Sequence, residues 1–68
     1  MNKNELVAEI KRHGDTQAAL ADAIGVSHTR LNAKINGTAG AEFTRDEMQG
    51  IIERYGLSPE QVNTIFFS

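Results

Sequence analysis

Cysteine is absent from the sequence, so neither a disulfide nor a thiolate-bound metal supplements the core, and stability has to come from packing or association. No apolar run approaches the roughly 20 residues that cross a bilayer. The opening Met1-Asn2-Lys3-Asn4-Glu5 lacks the apolar stretch of a secretory signal. A reducing, cytoplasmic setting without membrane attachment is therefore the expectation. The 68 residues hold one domain, in which a catalytic cleft would have to share residues with the only core. No nucleophile and base constellation stands out. The 2 histidines, His13 and His28, have no further His or Cys at ligand spacing, and His13 reads as a solvated charge near the carbonyl end of a helix. Glu47 and Glu53 are no glycosidase pair, because the first answers a cap and the second lies on a solvated flank. No catalytic role, cofactor, metal or small-molecule substrate is expected.

What is present is helical periodicity. Leu6, Val7 and Ile10 form one face of a helix from Asn2 to His13, while Glu5, Glu9, Lys11 and Arg12 lie mostly elsewhere. Asn2 with Glu5 three residues later has the form of a capping box, and Gly14 suits a left-handed stop. Thr16 caps a short, alanine-lined second helix ending at Ile24, with Leu20, Ala21 and Ile24 on its inner side. Gly25 makes the turn, Val26 anchors it, and Ser27 caps a third helix that runs to about Asn36. Leu31 and Ile35 there face inward, opposite Thr29, Asn32, Ala33 and Asn36. Asn36-Gly37-Thr38-Ala39-Gly40 reads as a loop. Thr44 and Glu47 form a capping box, flanked by Phe43 and Met48 as a hydrophobic staple, and Met48, Ile51, Ile52 and Tyr55 continue the buried face. Ser58-Pro59-Glu60-Gln61 opens a fifth helix that packs through Val62, Ile65 and Phe66. The expected fold class is all-α, a compact five-helix bundle over residues 1–68 with no strand or repeat.

The segment from Gln17 to Leu31 carries the functional signal, because its residue types meet the steric demands of two helices joined at a tight turn. Ala21 is small enough for the third helix to approach, Gly25 turns the chain, and Leu20, Ile24, Val26 and Leu31 fill the inner surfaces. The remaining polar positions belong to an outward face. In this pattern, with Gln at the start of the second helix and the later Asn36-Gly37, the chain resembles the phage-repressor and Cro-like helix-turn-helix family. The likeness is close from Thr16 to Gly37, and the closing helices extend it over nearly the whole chain. It departs where many members carry a large apolar residue near the end of the third helix: here Lys34 stands, and the apolar residue is displaced to Ile35.

The resemblance implies a sequence-specific regulator that binds duplex DNA as a homodimer, with residues 27–36 in the major groove and residues 16–24 across the backbone. It implies that Gln17 approaches the DNA backbone or an adjacent base edge, and that Ser27, His28 and Thr29 face the groove, with Asn32 and Ala33 one turn later. Arg30, Lys34, Asn36 and Thr38 are better placed for phosphates. Each has a plainer reading. His28 is either a groove contact or a partly covered packing residue, Ser27 is chiefly a cap, and Arg30 and Lys34 are either phosphate contacts or simply exposed cations. Thr29, Asn32 and Asn36 form a face without acidic residues, which favours the groove over mere solvation.

The net charge of −2 weighs against nucleic acid, since phosphate neutralisation dominates DNA affinity. The acidic excess, however, lies beyond residue 37, where Arg45 and Arg54 face Glu42, Asp46, Glu47, Glu53 and Glu60. The alternative is a protein-interaction module, an antirepressor or antitoxin-like partner on the same scaffold. Ile65-Phe66-Phe67 is too apolar for a free tail, and either folds back onto the fourth helix or meets a second subunit across a two-fold axis.

Overall fold

Five side-chain caps organise the chain. In the computed structural model, which describes residues 1–67, they start α1 (Lys3–Arg12), α2 (Gln17–Ile24), α3 (His28–Asn36), α4 (Arg45–Tyr55) and α5 (Pro59–Phe66). Asn2, Thr16, Ser27, Thr44 and Ser58 each accept a hydrogen bond from the backbone N–H three residues on, at 3.1–3.2 Å. That bond satisfies one of the donors a helix start leaves unpaired. Thr44 with Glu47 and Ser58 with Gln61 complete reciprocal boxes. At Asn2 only the forward half of the expected box forms, from Glu5 N to Asn2 Oδ1.

Leu6, Leu20, Leu31 and Ile51, one from each of the first four helices, are fully buried at the centre. Ile65 and Phe66 of α5 complete the core, together with Tyr55 and Leu57. Burying a side chain of that size stabilises by about 1.5–3 kcal/mol. The first helix packs against α5, while α2 packs against both α3 and α4. Asn2 N donates to Ile65 O at 2.6 Å, which ties the start of α1 to α5. The result is an all-helical body of 27 × 24 × 20 Å with no strand among the described residues.

Two details, at Glu9 and in the loop after α3, differ from expectation. Glu9, placed off the apolar face by its charge, is only 3% exposed. Its carboxylate is paired with Arg12 one turn on, which makes the burial tolerable. The loop after α3 contains a 3-10 turn over Thr38–Gly40, in which Ala39 has φ 53°. A left-handed alanine costs on the order of 1 kcal/mol. Of the C-terminal apolar run, Ile65 and Phe66 fold into the core, Phe66 meeting Phe43 edge-on at 6.1 Å, whereas Phe67 is 66% exposed. No helix among the described residues is long and apolar enough to cross a membrane.

Candidate nucleic-acid interface

The connection between α2 and α3 is three residues long, Gly25-Val26-Ser27. Gly25 takes φ 75°, and Val26 N reaches back to Ala21 O at 3.0 Å while Gly25 N reaches Asp22 O at 3.3 Å. This left-handed closure satisfies the last carbonyls of α2 and reverses the chain in the shortest space. Ala21 is buried on the side of α2 that faces the core, and α2 packs against α3. Ser27 then caps α3 through Arg30 N, so its capping role is realised.

The inward side of α3 is Leu31, Lys34 and Ile35, all buried. The outward side carries His28, Thr29, Arg30, Asn32 and Asn36, all exposed, with no carboxylate on the helix. His28, Thr29 and Asn32 border one shallow, open depression. The exposure of His28 removes the packing alternative for that residue. Asn36 joins the group by donating its Nδ2 to Asn32 O at 3.0 Å and to Asn32 Oδ1 at 3.1 Å. Ala33 and Gln17 are half-buried, Gln17 opening the first turn of α2. Thr38 is exposed in the turn after α3, where its carbonyl accepts from Ala41 N at 3.0 Å.

Lys34 corrects the reading of its sequence position. Expected as a phosphate contact or a free cation, its side chain is only 5% exposed. The ammonium donates to Glu47 Oε1 at 2.8 Å and to Glu42 O at 3.0 Å. Its aliphatic stem is buried with the inward side of the helix, and its charge is spent on the start of α4. Glu47 accepts from Thr44 N at 2.9 Å with the same oxygen. Burial opposes ionisation of Glu47, but the Lys34 ammonium and the Thr44 N–H outweigh it and hold the carboxyl below its ordinary value. The rotation of α3 is thereby fixed from the inside, by apolar contacts at Leu31 and Ile35 and by an ion pair at Lys34.

A second polar cluster lies at the α1–α2 junction and was not legible beforehand. Asp15 accepts from Arg54 Nε at 2.8 Å, from Arg54 Nη2 at 3.1 Å and from Tyr55 OH at 2.6 Å. The Arg54 hydrogen bonds, then that of Tyr55, hold the Asp15 carboxyl far below the usual range. Desolvation and the Asp15 carboxylate push the Tyr55 phenol well above its ordinary value. His13 stacks on Tyr55 with ring centroids 4.8 Å apart and approaches Glu9 Oε1 at 3.3 Å, so it is a packing residue as well as a helix-end group. The i, i+3 and i, i+4 spacing of Glu9 to Arg12 and His13 was a usable signal. Asp15 and Arg54 are 39 residues apart, and no local pattern joins them.

Among the described residues, no group of three His, Cys, Asp or Glu side chains is placed to hold a metal ion. Comparison of the chain with protein-family models, with curated proteins and with solved structures returned no match.

Proposed function

From the outward face of α3 we infer that the chain binds duplex DNA in a sequence-specific manner as a helix-turn-helix transcriptional regulator. Helix α3 enters the major groove and α2 lies across the backbone. One observation carries the reading. In a chain of net charge −2, the exposed side of α3 consists of imidazole, hydroxyl, amide and guanidinium groups with no carboxylate among them. These are the groups that pair with base edges and phosphates, and a carboxylate there would repel the duplex. An α-helix is about 10–12 Å across with its side chains, which suits a groove about 12 Å wide.

The electrostatic contribution is small, because Lys34 is withdrawn from it. Lys3, Lys11, Arg30 and Arg45 are exposed and take part in no ion pair among the described residues, and of these only Arg30 is on α3. Base contacts and a second subunit must therefore supply much of the affinity. A homodimer on DNA is part of this proposal, with Phe67 as an exposed apolar side chain available to it. Fluorescence anisotropy on a mixed duplex pool, at low and moderate salt, tests the whole reading. Binding that weakens with salt, and weakens further in Arg30→Ala, is the expected result. No binding to any duplex at low salt would leave the protein-interaction alternative in its place.

A further inference from the structure

We propose that a second copy of the chain docks, about a two-fold axis, on an apolar depression between the end of α3, α4 and the end of α5, with the Phe67 ring of each copy entering the depression of the other. The proposal rests on the homodimer in the reading above and adds the surface through which it forms. Folding leaves two large apolar side chains exposed among the described residues, Met1 at 44% and Phe67 at 66%. Both lie on this one depression, whose apolar walls also include Ile35, Phe43, Met48 and Phe66. Its volume is about 450 Å³, and a cavity of about 150 Å³ is enough to hold benzene. Beside it a smaller depression is lined by Ile52 and Val62. Phe67 and Met48 border both, so they form a ridge with a hollow on either side.

A knob and a hollow on one face of one chain make that face complementary to itself. Under a two-fold, the contact from Phe67 into the hollow is made twice, once from each copy. The charges on the rim fit the same occupant. Lys3 and Glu42 border the larger depression, are exposed, and take part in no ion pair among the described residues. A two-fold axis passing between them sets Lys3 of each copy against Glu42 of the other, whereas a partner of uniform charge would leave one of the two against its like. The depression meets α3 only at its last two residues, Ile35 and Asn36. The open hollow bordered by His28, Thr29 and Asn32 is separate from it. A copy seated there therefore leaves most of the outward face of α3 uncovered and brings a second α3 to the opposite side of the axis, as two half-sites require.

The chain has no tryptophan, so Phe67→Trp is a reporter that wild type does not obscure. Trace Phe67→Trp is titrated with wild type up to about 1 mM while its emission and iodide quenching are followed. A saturable blue shift with loss of quenching is expected as the ring enters the other copy. No shift up to that concentration would overturn the proposal and leave the depression to a different occupant. Glu42→Lys and Lys3→Glu test the axis. Each alone should weaken self-association in sedimentation equilibrium by about two- to tenfold, the range of two exposed ion pairs turned repulsive. An equimolar mixture of the two should recover it, because lysine then faces glutamate at both ends of the mixed pair. Both side chains are exposed, so melting temperatures should be unchanged. A mixture that associates no better than either variant would overturn the two-fold arrangement. Anisotropy on the duplex pool separates this from the function above. Self-association by these criteria without binding to any duplex would uphold the surface and remove the DNA reading, and duplex binding without the blue shift would do the reverse.

Discussion

Replacing Lys34 distinguishes a buried strut from a surface cation more sharply than any other change. In Lys34→Ala, Glu47 loses its 2.8 Å partner, the Glu42 carbonyl loses a 3.0 Å donor, and the space of the aliphatic stem is left empty. Breaking a fully buried ion pair costs about 3–5 kcal/mol. The carboxylate of Glu47 is 14% exposed and keeps its bond from Thr44 N, which lowers the cost. We therefore expect a loss of about 2–3 kcal/mol, equivalent to roughly 10–20 °C in Tm for a domain of this size. Lys34→Met keeps the stem and should lose about half as much. The double variant Lys34→Met with Glu47→Gln should recover about 1 kcal/mol relative to the sum of the singles, because neither charge is left alone. Thermal and urea unfolding followed by circular dichroism measure these variants and the single Glu47→Gln that the sum requires. Under the DNA-binding reading, the slope of log K against log salt should be unchanged in Lys34→Met, whereas a phosphate contact would reduce it by about 0.9. A Lys34→Ala protein as stable as wild type, with a shallower salt slope, would refute the buried assignment.

Arg30→Ala should leave stability within about 0.5 kcal/mol and reduce the salt slope by about one, as read by anisotropy at several ionic strengths. Thr29→Ala should instead change which duplexes are preferred, and an equal loss on all sequences would contradict groove contact. Acid should weaken the fold, because Asp15 and Glu47 have carboxyl groups held below their ordinary values. Their contribution is complete above the unfolded values of about 4 and declines as pH falls from there toward the lower folded values. Asp15→Asn should flatten that decline in urea titrations at pH 3 to 6, and an unchanged profile would count against the Arg54 and Tyr55 clasp. A Cβ on Gly50 would lie 3.1 Å from Ile24 Cγ2, so Gly50→Leu should wedge α4 from α2 at about 1–3 kcal/mol, while Gly50→Ala, which gains helix propensity, should be close to neutral. Phe67→Ser should lower dimer content in sedimentation experiments while leaving Tm unchanged. Identical sedimentation of the two proteins would remove Phe67 from the proposed dimer surface.

Sequence alone was enough for the helix caps and the apolar stripes, which are set by residues three or four apart. The caps at Asn2, Thr16, Ser27, Thr44 and Ser58, the left-handed Gly25, and the inward Leu20, Leu31 and Ile51 were all legible, because a helix start or an apolar stripe is written in local spacing. The outward placement of Thr29, Asn32 and Asn36 followed from the same periodicity. Tertiary structure alone decided where charges meet across the chain. Lys34 and Glu47 are 13 residues apart, and Asp15 and Arg54 are 39 apart. Whether a lysine is a surface cation or an internal strut depends on what the next helix brings to its ammonium, and that is set by packing rather than by periodicity. The same holds for His13, whose ring rests on a tyrosine from α4, and for Gly50, whose lack of a side chain matters only because Ile24 comes so close.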